Sequence, residues 1–114
     1  MNTKEFLEKF DSDMGKMQEK AKATVAGFSV LFNKTMSDGA LSVKEKEFVA
    51  LGIGLAKQCE PCIILHTKKC LEAGATPEEI IEAASVAVLM DGGPAYTHLP
   101  LVLETLEQIE SAHK

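Results

Sequence analysis

Two cysteines and a histidine lie close together in the segment CEPCIILH, residues 59–66. Residues four apart on a helix share a face, so Cys62 and His66 would be neighbours one turn apart, with Cys59 at or just before the helix start. A helix N-terminus and an imidazole both favour the thiolate, which is the nucleophilic form of cysteine. Once one sulfur is oxidised, the other is close enough to form a disulfide with it. The segment therefore predicts a redox-active cysteine pair.

Two other interpretations of the cysteines compete with redox chemistry. Buried cysteine often serves as a small apolar residue, and we interpret Cys70 in this way, because it would face the core from the same helix. A zinc site would need Cys59, Cys62, His66 and Cys70 at ~2.0 to 2.3 Å from one point. Positions 59 and 70 of one continuous helix lie roughly 16 Å apart, so these ligands cannot converge, and we predict no metal site.

The composition narrows the class of protein. The 114 residues fit a single domain, 1–114, and are 46% hydrophobic and 25% charged. The net charge is −5, and every one of the 12 basic residues is lysine, which argues against nucleic-acid binding. The longest apolar run, residues 48–56, is far shorter than the roughly 20 residues of a membrane helix. The first residues do not resemble a secretion signal, so we expect a cytoplasmic protein.

The spacing of apolar residues is helical from end to end, which predicts an all-α fold. An apolar stripe runs through residues 6–32, and the acidic segment DSD at 11–13 is expected to divide it into a short helix and a longer one. The segment SDGALS then interrupts the pattern. A final helix is expected from about Ala95 or Pro100 to about Ser111. His98 and His113 have no recognisable partners.

Three helix starts are marked by local signals. Ser42 followed by Glu45 forms a capping box, as does Thr76 followed by Glu79. Pro61 suits the first turn of the helix that begins near Cys59. That helix should end before Gly74, which can adopt a left-handed cap conformation.

Two of the predicted helices are apolar on nearly all sides. They contain residues 48–56 and 80–90, and together they expose more hydrophobic surface than one small bundle easily covers. We therefore expect a homo-oligomer. Gly52 and Gly54, inside the first of these helices, are expected to permit close packing.

A longer pattern around the cysteine pair resembles a known family. In EFVALGIGLAKQCEPCIILH, Glu47 precedes Cys59 by twelve residues, and His66 follows Cys62 by four. This spacing resembles that of the alkylhydroperoxidase AhpD-like proteins of the carboxymuconolactone decarboxylase superfamily. The flanking segments LSVKEKE, LEAGATPEEIIEA and MDGGPAY are also similar, and the resemblance covers about residues 25–105.

The resemblance implies a helical bundle of about five to six helices that assembles as a trimer or hexamer. It implies that Cys62 is the peroxidatic cysteine, Cys59 the resolving cysteine and His66 the base, with Glu47 orienting or recharging that base. An external dithiol, such as dihydrolipoamide or a thioredoxin-like protein, would be the reductant, and no tightly bound cofactor is expected. Without the resemblance, Glu47 would be interpreted as a solvated charge at a helix start. The family pattern has a second histidine where this chain has Pro61, so the expected proton relay is shorter.

The leading hypothesis is thus a thiol-dependent antioxidant enzyme that reduces hydroperoxides or exchanges disulfides through Cys59 and Cys62. A carboxymuconolactone decarboxylase-like lyase that uses the same pocket without thiol redox chemistry is a second hypothesis. The third is a non-catalytic oligomeric protein that keeps the cysteine pair as a redox sensor.

Overall fold

A computed structural model describes residues 2–112, and these residues form an all-α fold, as the apolar spacing predicts. His113 lies outside the described residues. Six helices have 13 to 18 residues each, and a seventh has four. In chain order they are α1 (Thr3–Lys20), α2 (Lys22–Met36), α3 (Val43–Ala56), α4 (Glu60–Glu72), α5 (Pro77–Asp91), α6 (Gly93–Tyr96) and α7 (Leu99–Ala112).

The first break in the helical pattern lies at Ala21, so the prediction of a break at residues 11–13 was wrong. The acidic segment is part of the continuous helix α1. Asp13 accepts a 2.6 Å hydrogen bond from Lys9 one turn earlier, and such a pair supports a helix rather than ending it. Ala21 separates α1 from α2 with a backbone conformation outside the helical region, at φ −129° and ψ 49°.

The predicted helix starts of α3, α4 and α5 are confirmed. Both capping boxes are formed, with Ser42 paired to Glu45 and Thr76 paired to Glu79. These hydrogen bonds hold the pKa of both carboxyl groups below its usual value, since they favour the ionised form. Gly74 follows α4 at φ +95°, a conformation that glycine adopts without strain.

Four helices enclose the hydrophobic core, and α3 and α4 form its most extensive contact. The fully buried side chains at its centre are Leu51, Leu55, Ile63, Ile80 and Val102. Truncating one of these to alanine typically costs about 2–5 kcal/mol. None of the helices within residues 2–112 combines the length and the apolar character that crossing a membrane requires.

The N-terminal end of helix α1 is hydrogen-bonded to α7, the last helix. The hydroxyl groups of Thr3 and Thr105 lie 3.1 Å apart, and both residues are buried. The backbone N–H of Lys4 donates to the side-chain carbonyl of Gln108 at 2.7 Å. These contacts join α1 to α7, and Phe32 of α2 contacts His66 and Lys69 of α4.

One surface of the described chain is apolar and uncovered. We call it the α3–α5 face, a shallow groove lined by Phe48, Val49, Gly52, Ile53, Ala56, Ala83, Val86, Ala87 and Met90. Ile53 is 54% exposed and Met90 is 81% exposed. An uninterrupted apolar surface of this kind usually marks a site of association.

Candidate active site

The cysteine pair lies at the beginning of α4 and is joined as a Cys59–Cys62 disulfide. Cys59 is the N-cap residue, and its sulfur accepts a 3.3 Å hydrogen bond from the backbone N–H of Cys62. Pro61 occupies the first turn, where its missing N–H leaves no helical bond unmade. Both sulfurs therefore lie at the N-terminal end of a helix dipole, which stabilises negative charge.

Glu47 and His66 form a short hydrogen bond beside the disulfide. Oε1 of Glu47 lies 2.6 Å from Nδ1 of His66, and Glu47 is only 3% exposed. The interpretation of Glu47 as a solvated charge is therefore wrong, because the packing of α3 on α4 encloses it. A carboxylate on Nδ1 holds the proton there and leaves Nε2 of the ring as the proton acceptor.

The close approach of α3 to α4 depends on Gly54. A Cβ atom at this position would lie 3.1 Å from Cβ of Cys62, which is tighter than ordinary van der Waals contact. At Gly52, in contrast, an added Cβ would meet nothing within 4 Å. The prediction of close packing is therefore confirmed for Gly54, whereas Gly52 lies on the uncovered α3–α5 face and packs against no other helix of the described chain.

A pocket opens over the site between α1, α2 and α4, and we call it the α4 pocket. Its volume is about 540 Å³, within the usual range for a small-molecule site. Cys62 and His66 lie in its wall, whereas Cys59 does not. The other lining residues are Leu7, Phe10, Asp11, Met14, Phe28, Ser29, Phe32, Asn33, Pro61, Leu65, Lys68, Lys69 and Glu72.

The ring of Phe32 contacts both His66 and Lys69 in the α4 pocket. Its ring stacks on the imidazole of His66, with the centroids 6.4 Å apart and the planes at 26°. Nζ of Lys69 lies 5.0 Å from the centroid of the same ring, a distance typical of a cation–π contact. The apolar spacing of α2 indicated Phe32 as part of a stripe, but it gave no sign that the ring would cover His66.

The third cysteine is separated from this chemistry. Cys70 is fully buried in the core, as expected for a small apolar residue. Burial and, to a smaller extent, the nearby carboxylate of Glu47 together raise the pKa of its thiol to about 12. At neutral pH Cys70 is therefore protonated and unreactive.

We expect iodoacetamide at pH 8 to modify two thiols rapidly in the reduced, folded protein and the third only after denaturation. The two reactive thiols are Cys59 and Cys62, because Cys70 is both buried and protonated at that pH. Mass spectrometry of the alkylated peptides measures this directly. Rapid labelling of Cys70 under native conditions would contradict its assignment to the core.

Two other residues singled out in the sequence, Pro61 and His98, take no part in the hydrogen bond between Glu47 and His66. Pro61 is exposed at the margin of the α4 pocket and has no group that could relay a proton. Nδ1 of His98 lies 2.7 Å from the backbone carbonyl oxygen of Pro94, to which it donates in the turn before α7.

Fold and site together define an all-α protein with a CxxC disulfide beside a buried glutamate–histidine pair. The sequence model of the Carboxymuconolactone decarboxylase family matches residues 22–105, and the chain belongs to this family. A protein of Paracoccus denitrificans, known as uncharacterized protein 4 in cox locus, is 38% identical over 85 residues. That match covers 75% of this chain and 77% of the relative.

Two solved structures share the fold over nearly the whole chain. A carboxymuconolactone decarboxylase family protein from Legionella pneumophila is 32% identical, with a TM-score of 0.88 and coverage of 93% of this chain and 95% of that one. A Thermotoga maritima protein is 28% identical, with a TM-score of 0.85 and coverage of 96% of both chains. Another crystal structure of that Thermotoga protein describes it as a family member that is a candidate for the antioxidative response.

Proposed function

We propose that this protein is a thiol peroxidase that reduces organic hydroperoxides through Cys62 and Cys59. The observation that carries the proposal is the position of Cys62. Cys62 lies in the wall of a pocket with both apolar and charged lining residues, one helical turn from a histidine whose Nδ1 is bound by a buried carboxylate. A nucleophile, a base and a residue that orients the base thus meet at a site large enough for an organic substrate.

The reaction begins from the reduced cysteine pair. His66 takes the proton of Cys62, and the thiolate attacks the terminal oxygen of the hydroperoxide, which breaks the O–O bond. The alkoxide leaves and takes up a proton to become an alcohol, while Cys62 becomes a sulfenic acid. The thiol of Cys59 then attacks this sulfur and releases water. In sum, two thiols and one hydroperoxide give one disulfide, one alcohol and one water.

An external dithiol returns the protein to its reduced state. Of the two disulfide cysteines, Cys62 lines the α4 pocket and Cys59 does not, so the reductant attacks the Cys62 sulfur and Cys59 leaves as a thiolate. The backbone N–H of Cys62 points at the Cys59 sulfur from 3.3 Å and stabilises the departing charge. The second thiol of the reductant then displaces Cys62. A cytoplasmic dithiol of the dihydrolipoamide or thioredoxin-like type suits this role, and no bound cofactor is needed.

One relative and two features of the site support this function over the two alternatives. The antioxidative response named for the Thermotoga maritima relative is in keeping with peroxide reduction. In a lyase mechanism the Cys59–Cys62 disulfide would take no part in the reaction. A pure sensor would not need a base that is oriented by a buried carboxylate.

The test is consumption of cumene hydroperoxide by the full-length protein with dihydrolipoamide as the reductant. We expect turnover, with one disulfide formed per hydroperoxide consumed when the reductant is withheld. Stoichiometric oxidation without turnover in the presence of either dihydrolipoamide or thioredoxin would favour the sensor. Absence of any reaction between the reduced protein and the hydroperoxide would rule out both redox functions.

The partner of the α3–α5 face is a second copy of this chain, giving a trimer or hexamer. No charged side chain interrupts the face between positions 49 and 56 of α3 or between positions 83 and 90 of α5, so an equally apolar surface complements it.

Replacing Ile53 or Met90 by lysine is expected to reduce the assembly to monomers, because a charge would be buried without a partner. Ser85→Lys is the matched control, since Ser85 is exposed on the same helix and does not line the groove. Light scattering coupled to size-exclusion chromatography measures the mass. A monomeric wild-type protein would refute the assignment.

A further inference from the structure

We propose that the hydroperoxide reduced at Cys62 is an amphipathic acid, an acyl chain that bears the hydroperoxide group and ends in a carboxylate bound by Lys69. This inference rests on the proposed peroxidase function and specifies its substrate class. It follows from three properties of the α4 pocket: its apolar wall, the alignment of its polar groups, and the part of the chain that builds it.

The part of the α4 pocket that α1 and α2 build is mostly apolar. Five of its eight lining residues there are apolar: Leu7, Phe10 and Met14 from α1, and Phe28 and Phe32 from α2. Contact with such a wall does not stabilise bound hydrogen peroxide, which is small and polar. It does stabilise a bound alkyl chain, because binding removes the apolar surface of the chain from water. The volume of about 540 Å³ is larger than a short alkyl hydroperoxide requires.

Three polar groups of the pocket lie in a line along one face of α4. Cys62, His66 and Lys69 are spaced four and three residues apart, so they project from the same side of the helix. The backbone positions of Cys62 and Lys69 are separated by about 10 Å along the axis. A ligand whose anionic group and reactive oxygen are separated by a hydrocarbon segment suits this spacing.

Lys69 is the cation of the pocket that remains available for an anion. Among residues 2–112, Lys68 has a carboxylate at 3.9 Å, that of Glu72, whereas Lys69 has no carboxylate within ion-pair distance. Its ammonium group is instead held above the Phe32 ring, and that ring stacks on His66. The two acids of the pocket wall, Asp11 and Glu72, are both exposed, while Lys69 is partly buried.

Much of this wall belongs to a segment outside the family match. The match covers residues 22–105, whereas α1 spans Thr3–Lys20. The catalytic candidates therefore lie in the part of the chain that the family shares. The apolar wall above them is shared between α1 and α2, so part of it lies in a helix that the family match does not include.

The experiment compares three hydroperoxides with the full-length protein: linoleic acid hydroperoxide, its methyl ester, and tert-butyl hydroperoxide. Wild type should use the acid with the highest kcat/KM. Lys69→Gln should lower kcat/KM for the acid about tenfold or more, the usual effect of removing one charged hydrogen bond, and should lower it far less for the ester and for tert-butyl hydroperoxide. Lys34→Gln is the matched control, because Lys34 is exposed on α2 and does not line the pocket.

Three results would overturn the inference: equal use of acid and ester by wild type, equal loss on all three substrates in Lys69→Gln, or loss with Lys34→Gln as well. A second measurement does not depend on turnover. Laurate, which has no hydroperoxide, should bind the oxidised protein in calorimetry about tenfold more weakly in Lys69→Gln, while dodecanol should bind both proteins equally.

The two measurements separate the inference from the function on which it rests. If no hydroperoxide is consumed but laurate binds through Lys69, the peroxidase proposal fails and the carboxylate site remains. If hydroperoxides are consumed but laurate binding does not depend on Lys69, the peroxidase proposal survives and the substrate assignment fails.

Discussion

Cys62→Ser is expected to abolish hydroperoxide consumption, both in a single turnover and at steady state. Cys62 is the cysteine that lines the α4 pocket, and serine cannot replace a thiolate as the attacking group because its hydroxyl is a far weaker acid. Stopped-flow consumption of cumene hydroperoxide by the reduced protein measures the first event. A steady-state assay with dihydrolipoamide measures the second.

Cys59→Ser should give a different result, and this difference distinguishes the attacking cysteine from the resolving one. The variant should still consume one equivalent of hydroperoxide and form a sulfenic acid on Cys62, which dimedone would trap, but it should lose the disulfide. Cys70→Ala is the control, because Cys70 lies in the core and not in the pocket. A sulfenic acid found on Cys59 in Cys62→Ser would reverse the two roles and contradict the proposed mechanism.

Glu47→Gln is expected to lower kcat/KM by roughly 10²- to 10⁴-fold, the usual range for loss of general acid–base catalysis. Glutamine keeps the shape of the side chain but removes the charge that holds His66 in the tautomer able to accept a proton. Glu47 is a positioning residue in this account, because it contacts Nδ1 of His66 and not the substrate. The loss of rate in Glu47→Gln therefore depends on how strongly the reaction relies on His66 to deprotonate Cys62.

The pH profile separates this role from a loss of structure. As the pH approaches the usual thiol pKa of about 8.5, Cys62 ionises without help, so the deficit of Glu47→Gln should shrink. The His66→Gln variant should behave in the same way, and the double variant should be no slower than either single variant. Glu45→Gln is the matched control, since Glu45 is exposed on the same helix and glutamine also suits a capping box. A deficit that is constant with pH would count against positioning.

The helices were predictable wherever local chemistry decides the structure. Ser42 and Thr76 each supply an oxygen to a backbone N–H three residues later, and this signal depends only on neighbours in sequence. The break at Ala21 was not predictable in this way. No cap residue or glycine marks it, and the acidic segment that suggested a break forms a stabilising pair within α1.

The two halves of the candidate site were predictable to different degrees. Cys62 and His66 lie on one helix, so their proximity follows from helix geometry alone. Glu47 lies on another helix, and only the family resemblance indicated it, because the approach of α3 to α4 is a tertiary contact. Phe32 and Lys69 were missed for the same reason, since their arrangement around His66 depends on where α2 returns across α4.

Gly54 lies where α3 packs against Cys62 of α4. Glu47 lies two helical turns before Gly54, and His66 lies one turn after Cys62, so both contacts share the same pair of rigid helices. A Cβ atom at position 54 would lie 3.1 Å from Cβ of Cys62, so that the cysteine would have to shift by a few tenths of an ångström. We expect such a shift of α4 to alter the geometry of the 2.6 Å hydrogen bond between Glu47 and His66. A residue with no functional group thus sets the reach of the proton acceptor, and variation at this position would tune reactivity without altering any reacting atom.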